Sequence, residues 1–404
     1  MSAEHLGDAV QNLNLRVVFV QGAFTAMQCA STVYFVQAFQ RFGYDNLLIG
    51  TIMMFTSLLA IFVQPLWGYI VDKIVMDRQI IAGSCLLGAV IYFIFIFSGG
   101  RKAVAIPSAI AMYGVFIPMM TLIDAFVSKL IVDGYHINYS ATRSGGSIAY
   151  AFTAVIFGFS VSRFGMHLAP FIYLVPCAVM MWALWGLPNP RGHIKNAISL
   201  RSGFQYLRHY KLFLLFIGAY FLMSLTSVPA STYYSVVLYK LGGDERHVGL
   251  GLFFQAICEV PVMLLFSRIK KKTGIKSVYL LMIGMIFFAL KTACIAFAPT
   301  ITVVLLGSML QGFSFAIFHP AVVEFLMEII RREYLATAQM ITVAIGSSLA
   351  AIVINPLGGA ASDSFGPQNM LKCVIAFAPL GAVLLFTAWK LAGKKEGHYA
   401  ENPA

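Results

Sequence analysis

The chain has 404 residues, of which 59% are hydrophobic and only 11% are charged, and its formal net charge is +12. Soluble globular domains carry about 25% charged residues, so this composition excludes a soluble fold for most of the chain. The apolar runs are continuous and about twenty residues long, which predicts membrane-spanning helices rather than the alternating strands of a β-barrel.

Twelve apolar runs follow one another along the chain, in two sets of six. Between the sets lies a polar stretch, residues 189–211, with five lysine and arginine residues and no acidic residue. We therefore interpret the chain as two six-helix bundles, residues 1–188 and 212–404, joined by a cytoplasmic linker and ending in a short cytoplasmic tail. The runs cover residues 16–38, 47–71, 79–98, 104–131, 146–162, 168–187, 212–239, 247–266, 278–297, 300–329, 336–357 and 369–391.

The basic residues indicate how these helices are oriented. If the N-terminus is cytoplasmic, twenty of the 28 lysine and arginine residues lie inside and six lie outside. Cytoplasmic loops carry such an excess, so we expect a multi-pass protein of the cytoplasmic (inner) membrane with both termini inside. Because the positive charge lies in short loops between apolar runs, it does not indicate a nucleic-acid partner.

The segment around the end of the second run, QPLWGYIVDKIVMDR at residues 64–78, combines several chemically distinct residues. It contains a small residue for close packing, an acidic residue and two basic residues: Gly68, Asp72, Lys73 and Arg78. Such a loop can hold a charge network between helix ends in one state and release it in another. The segment resembles the signature loop of the major facilitator superfamily. A basic loop that only sets topology is the alternative, and it suits the second-half counterpart SRIKKKTGIKS better because that loop lacks an acidic residue.

Further segments narrow the resemblance. QPLWGYIVDK, LIDAFVSKL, TRSGGSIAYAFTAVIFG and LKTACIAFA are similar, at matching positions, to the lactose-permease-like oligosaccharide:H+ symporters. The resemblance implies an all-α major facilitator fold with twelve transmembrane helices. It also implies proton-coupled import of a sugar, oligosaccharide or similar hydroxylated solute by alternating access. Related branches of the superfamily carry nucleosides and aromatic acids, and these substrates stay open.

Charged residues inside membrane spans are costly, so each is a candidate for function. Asp124 lies in the fourth run, and Arg143 begins the fifth helix. The resemblance implies that this carboxylate and guanidinium bind a sugar, with Tyr150 as the stacking platform where the lactose permease has a tryptophan. The chemistry fits, because a carboxylate accepts hydrogen bonds from hydroxyls and a guanidinium donates them. The alternative is a structural ion pair near the membrane interface.

Proton coupling points to another set of residues. Glu259 lies about twelve residues into the eighth run, deep in the hydrocarbon, where a carboxyl is more readily protonated than in water. The resemblance implies a proton-carrying glutamate about one turn away, and Lys291 matches an arginine that helps to displace that proton. The alternatives are a protonated glutamate that bonds a neighbouring helix and a lysine that pairs structurally.

The tenth run departs from the family pattern. The lactose permease has a histidine and a glutamate three residues apart there, and this chain has Gln311 and Ser314. His319 and Glu324 follow in the same run and are further candidates for proton coupling. They point about 140° apart on a helix and so do not share one face. A histidine before a proline is also typical of packing.

The sequence lacks the motifs of several common enzyme and metal-binding classes. We find no P-loop, no Rossmann glycine pattern, no HExxH motif and no spacing of cysteines that suits a metal. We therefore expect no enzyme activity, no cofactor and no metal, and a driving force from a proton gradient. The expected partners are a small solute, protons and the lipid bilayer, with the protein as a monomer. A polytopic membrane enzyme or receptor that transports nothing is the alternative from another class.

Overall fold

The computed structural model describes residues 3–73, 77–135, 137, 139–189, 205–208, 210–331 and 334–396. Within these ranges the chain is helical with no strand, so the predicted all-α class is confirmed. The helices before residue 190 are α1 (Ala3–Ala30), α2 (Phe35–Arg41), α3 (Asn46–Lys73), α4 (Asp77–Phe97), α5 (Lys102–Val132), α6 (Tyr139–Phe164) and α7 (Ala169–Trp185).

The helices after residue 204 include several short ones, because some spans are broken. They are α8 (Lys211–Thr232), α9 (Tyr234–Lys240), α10 (Glu245–Thr273), α11 (Ser277–Ala296), α12 (Ile301–Ser308), α13 (Gln311–Ile329), α14 (Leu335–Ile341), α15 (Ala350–Phe365), α16 (Pro367–Val374) and α17 (Phe377–Glu396). A π-helical stretch, Thr342–Leu349, joins α14 to α15 without a loop.

Ten helical stretches among the described residues are long and apolar enough to cross a membrane, so the predicted number of twelve is not confirmed. Helices α1 and α10 fall outside this set. Helix α10 is nevertheless 29 residues long, about 44 Å at 1.5 Å per residue, and so exceeds the hydrocarbon core of about 30 Å. Apart from Glu259 at its midpoint, its charged residues gather towards the ends, with Glu245 in the first turn and Lys270, Lys271 and Lys272 in the last.

Two of the long helices break at a buried tyrosine. Tyr34 ends the short 3-10 segment between α1 and α2, and its hydroxyl donates to the carbonyl oxygen of Ala154 at 3.1 Å. Tyr233 separates α8 from α9 and donates to the carbonyl oxygen of Asn355 at 2.6 Å. Both side chains are at most 1% exposed. Each hydroxyl therefore fixes a helix break to the backbone of another helix.

The chain packs as two compact units, and each draws on both of the predicted halves. The first unit comprises Met1–Asp45, Leu58–Asn196 and Gly242–Ile257, and the second comprises Asn46–Ser57, Ala197–Leu241 and Cys258–Ala404. The start of α10 thus packs with the first unit, and the start of α3 packs with the second. Most of the proposed linker lies outside the described residues, so the division into two six-helix bundles stays a prediction.

Close helix packing in the first unit depends on glycine. Helix α6 packs along α1, and a β-carbon at Gly145 would lie 2.5 Å from the Cγ1 atom of Val18. At the next residue, the Thr25 hydroxyl donates to the carbonyl oxygen of Gly146 at 2.7 Å. Small residues let membrane helices approach until such backbone contacts form. The SGGS segment therefore has a packing role between α1 and α6.

An aromatic core in the second unit holds α11 and α13 together. Phe318 of α13 packs against Tyr220 of α8 and Phe288 of α11, with ring centroids 5.2 and 5.8 Å apart. Gly284 lies directly under Phe318, where a β-carbon would lie 2.8 Å from that residue's Cβ atom. This packing fixes the positions of the polar side chains that α11 and α13 carry.

Candidate functional site

Three polar side chains from α10, α11 and α13 meet within the second unit. The Lys291 ammonium donates to Oε1 of Gln311 at 2.7 Å, and the Gln311 side chain is hydrogen-bonded to the Glu259 carboxyl group. Since Oε1 accepts from the lysine, the amide nitrogen is the atom left to donate to the glutamate. Lys291 is only 3% exposed. We call Glu259, Lys291 and Gln311 the mid-span cluster, because Glu259 lies midway along α10.

A helix break and a glycine bring this cluster together. Helix α12 ends at Ser308, which bonds the Tyr234 hydroxyl at 2.8 Å, and α13 restarts at Gln311. A β-carbon at Gly312 would lie 2.5 Å from the carbonyl oxygen of Cys258. Any larger residue at position 312 would therefore push α13 away from α10 beside the glutamate. The absence of a side chain there lets the amide reach Glu259.

The chemistry of the cluster follows from its three groups. An amide neither gains nor loses a proton near neutral pH, so Gln311 can transmit a hydrogen bond but cannot carry charge. The carboxyl and the ammonium group are the two members that titrate. With Glu259 ionised the cluster is neutral, and with Glu259 protonated it carries one positive charge. Protonation therefore changes the net charge of a site that is largely closed to water.

Two further candidates, His319 and Glu324, lie farther along α13. His319 is exposed and packs against Phe315, with ring centroids 4.0 Å apart. Glu324 accepts a hydrogen bond from Lys270 at 2.5 Å. It lies 13 residues beyond Gln311, about 20 Å along the helix axis. The structure therefore brings Glu259 and Lys291 together and places Glu324 in a different cluster.

That second group, which we call the end cluster, consists of Lys270, Ser277, Glu324 and Glu328. The Lys270 ammonium lies 3.4 Å from Oε1 of Glu328 and donates to the Ser277 hydroxyl at 2.8 Å. The hydroxyl in turn donates to Glu328 at 2.6 Å. The loop from α10 to α11 lacks an acid of its own, and α13 supplies two of them four residues apart on one face. The spacing of the two acids was visible in the sequence, but their pairing with Lys270 at the end of α10 was not.

The four predicted gating residues lie in helices. Helix α3 continues through Gly68 and Asp72 and ends at Lys73, so these three residues belong to the C-terminal part of the helix. Their side chains lie outside the described residues, and their gating role stays a prediction. Arg78 is in α4, and its Nη1 atom donates to the carbonyl oxygen of Leu187 at 2.9 Å, just beyond the end of α7.

The predicted sugar-binding residues lie on two successive helices of the chain, both in the first unit. Asp124 lies on α5 and Tyr150 on α6, and both are half-buried. The Ser128 hydroxyl donates to the backbone carbonyl of Asp124 at 2.8 Å, one turn along α5. Arg143 lies in the first turns of α6, and its side chain lies outside the described residues. The pairing of Asp124 with Arg143 therefore stays a prediction.

An aspartate that the sequence did not single out caps α3. The Asp363 carboxylate, near the end of α15, accepts hydrogen bonds from the backbone N–H groups of Asn46 and Leu47 at 3.1 and 2.8 Å. It also accepts from the Asn46 side chain at 2.7 Å. An anion at a helix N-terminus satisfies unpaired N–H groups and complements the helix dipole. Here the cap comes from a residue more than 300 positions away and joins the two predicted halves.

A comparable set of bonds forms at the start of α10, in the first unit. Arg41 donates to Glu245 at 2.6 Å, and the Ser162 hydroxyl donates to Asp244 at 2.7 Å. Partial burial raises the pKa of the Asp244 carboxyl, but the hydrogen bonds that it accepts from Ser162 and the adjacent residues outweigh this and hold that pKa below its usual range. Reasoning about charges inside spans overlooked these acids because they lie at helix ends.

Known proteins resemble this chain in sequence. It is 26% identical to the uncharacterized transporter YwbF of Bacillus subtilis (strain 168) over 360 residues, which cover 88% of both chains. It is 23% identical to the maltose permease of Geobacillus stearothermophilus over 77% of this chain and 78% of the permease.

One solved structure and one protein-family model also match this chain. The fold resembles that of a mutant of the nucleoside transporter NupG, with a TM-score of 0.79 at 15% identity over 93% of this chain and 99% of the NupG chain. The model of the MFS_1 like family matches residues 18–372. The family match shows that the chain belongs to the MFS_1 like family. Together with the apolar helices and the relatives, it identifies a multi-pass membrane transporter of the major facilitator superfamily, not an enzyme.

Proposed function

We propose that the protein imports a sugar, an oligosaccharide or a similar hydroxylated solute together with protons, by alternating access. The observation that carries this proposal is the mid-span cluster. A buried lysine and a carboxyl on two adjacent helices of the chain are costly to keep in a membrane, so their retention indicates use. The chain belongs to a family of transporters, and the Glu259 carboxyl of the cluster can take up a proton within a membrane span.

In this mechanism Glu259 carries the proton, and Lys291 and Gln311 respond to it. When Glu259 is ionised, its charge balances that of Lys291 through the amide. When it is protonated, the lysine loses its counter-charge and favours another arrangement of α10, α11 and α13. A proton can shift a conformational equilibrium only if it binds the two states differently, and this change of counter-charge provides the difference.

Contacts at helix ends complete the cycle. The bonds from Asn46 to Asp363 and from Arg41 to Glu245 join helices of the two predicted halves. They have to break and form again whenever those helices separate at these ends. We place them at the outer face, because the distribution of basic residues favours cytoplasmic termini in an inner membrane.

The solute is assigned to Asp124, Arg143 and Tyr150. Support comes from the resemblance of their segments to the lactose-permease group and from the maltose permease among the relatives. A carboxylate and a guanidinium together bind a set of adjacent hydroxyl groups, and the tyrosine ring packs on the apolar face of a sugar.

A nucleoside is the second candidate. It presents ribose hydroxyl groups to the same charged residues and an aromatic base to Tyr150. The likeness to the nucleoside transporter NupG favours it at the level of the fold. The protein is expected to act as a monomer, with the solute and protons as its partners and no cofactor.

Proton flux in vesicles tests this proposal. Purified protein is reconstituted with an internal pH dye, and sugars, nucleosides and organic acids are added one at a time without a pH gradient. We expect internal acidification with one class of hydroxylated solute and none with the others. In the Asp124→Asn variant that signal should disappear at unchanged protein levels. Solute uptake without any proton movement would overturn the coupling, and unchanged uptake by Asp124→Asn would remove the assigned solute site.

A further inference from the structure

The end of α7 presents tryptophan rings at the protein surface. The Trp182 and Trp185 side chains are 52% and 87% exposed, although both rings are large and apolar. Tryptophan is enriched where a membrane helix passes through the lipid headgroups, since its ring is apolar and its N–H group is polar. The residues therefore mark the level at which α7 leaves the hydrocarbon.

Two arginines from different helices converge on this helix end. Arg16 of α1 donates to the carbonyl oxygen of Trp182 at 3.2 Å, and its Cζ atom lies 4.9 Å from the centre of the Trp182 ring. Arg78 of α4 donates to the carbonyl oxygens of Leu187 and Trp185 at 2.9 and 3.4 Å. The bonded carbonyl groups belong to residues 182, 185 and 187, so both guanidinium groups lie at the same end of α7.

Counted over the described residues alone, this end of α7 holds more positive charge than its protein partners neutralise. The carboxyl end of a helix contributes about half a negative charge, whereas two guanidinium groups contribute two positive charges. Among the described side chains, no carboxylate pairs with Arg16 or Arg78. In the bonds that join described residues, each arginine uses one terminal nitrogen on backbone carbonyls, which leaves most of its five N–H donors for another ligand.

Gly186 shapes the site. A β-carbon there would overlap the Arg16 guanidinium group, so only glycine lets this arginine lie across the end of α7. The backbone thus holds the guanidinium beside the exposed tryptophan rings instead of letting it extend into water. A ligand that contacts both must have an anionic head and an apolar body.

We propose that Arg16, Arg78, Trp182 and Trp185 form a binding site for the phosphate group of an anionic phospholipid. The guanidinium groups bind the phosphate oxygens in their planar fork geometry, and the rings pack on the glycerol and upper acyl chain. Basic pockets on the cytoplasmic side of membrane helices bind lipid headgroups in this way. A lipid satisfies both features of the site, whereas inorganic phosphate satisfies only the charge. The proposal does not depend on the transported solute or on the proton.

Native mass spectrometry of the purified full chain tests the site directly. The protein is mixed with equal amounts of phosphatidylglycerol and phosphatidylcholine, and the retained lipids are counted. Wild type should keep phosphatidylglycerol preferentially. The double variant Arg16→Gln/Arg78→Gln should bind it roughly 25-fold more weakly, about fivefold for each arginine. Trp185→Ala should lose part of the retention while folding normally, because that ring is already exposed.

A matched control separates a site from general surface charge. Lys271→Gln/Lys272→Gln removes two exposed cations from the same predicted membrane face and should retain phosphatidylglycerol like wild type. Equal loss in this control, or full retention in the arginine double variant, would overturn the proposal. Millimolar inorganic phosphate should leave the bound lipid in place, and displacement of the lipid by phosphate would show that free phosphate is the ligand instead.

Discussion

Helices α10, α11 and α13 carry two polar clusters that differ in burial and in charge balance. In the mid-span cluster, one ammonium and one carboxyl group are joined by a neutral amide, and Lys291 is 3% exposed. In the end cluster, Lys270 faces two carboxylates, and the side chains of Glu324 and Glu328 are 31% and 37% exposed. Charges that share a water-poor site depend strongly on one another, whereas exposed pairs contribute little. The first cluster therefore suits proton coupling, and the second suits a helix-end contact.

The largest expected effect is the loss of proton-driven accumulation on removing the Glu259 carboxyl. Glu259→Gln keeps the shape and hydrogen-bonding capacity of the side chain but cannot take up a proton. We expect accumulation to fall to simple equilibration across the membrane, while exchange of labelled for unlabelled solute continues. In the same vesicles, uphill uptake measures accumulation and counterflow measures exchange. Glu324→Gln is the matched control and should still accumulate solute, and a similar loss there would erase the distinction between the clusters.

The next largest effect is expected on stability, in a double-mutant cycle on Glu259 and Lys291. Lys291→Met leaves Glu259 without its counter-charge, and breaking a buried pair of this kind costs about 3 kcal/mol. Adding Glu259→Gln to that variant should restore much of the loss, because neither charge then remains. The unfolding temperature is measured in one detergent for wild type, the two single variants and the double variant. Strictly additive losses would mean that Glu259 and Lys291 do not interact.

The bridging amide should have an intermediate effect. Gln311→Leu removes the acceptor of the Lys291 hydrogen bond and leaves a buried cation unsatisfied, at a cost of about 1–3 kcal/mol. Gln255→Leu, one turn before Glu259 on α10, is the control for replacing a half-buried glutamine by leucine. If both variants unfold at the same temperature, the bridge does not contribute to stability.

The smallest effect is expected at the end cluster. Lys270→Ala should cost less than about 1 kcal/mol, since exposed ion pairs are weak, and that small loss should shrink further in 1 M salt. The same salt series should leave the effect of Lys291→Met unchanged, because buried charges are poorly screened. A salt-insensitive loss above about 2 kcal/mol for Lys270→Ala would place the end cluster in the same class as the buried one.

Much of the fold followed from composition and hydropathy, because lipid forces a spanning chain to pair its own backbone groups in helices. Charged residues inside apolar runs then identified Glu259 and Lys291, which the structure brings together through Gln311. Residue 311 itself was noted only as a departure from a family pattern. Its bridging position depends on the helix break before it and on the contact of Gly312 with Cys258, and neither can be read from hydropathy.

The position of Glu324 was harder to predict for a different reason. Its place within an apolar run made it resemble a mid-membrane charge, although α13 carries it to a helix end opposite Lys270. The helix-end acids Asp244, Glu245 and Asp363 lie between or at the edges of runs, where acidic residues are common. Their partners lie far away in sequence, so only the tertiary packing identifies them.

Infrared difference spectroscopy tests most directly whether Glu259 is the group that binds the proton. Protonated carboxyl groups absorb in a region free of other protein bands, so a pH jump on reconstituted protein reports which carboxyl titrates. We expect a carboxyl band in wild type and in Glu324→Gln. The band should be absent in Glu259→Gln and shifted in Gln311→Leu. A titrating band that persists unchanged in Glu259→Gln would contradict the assignment of the proton to the mid-span cluster.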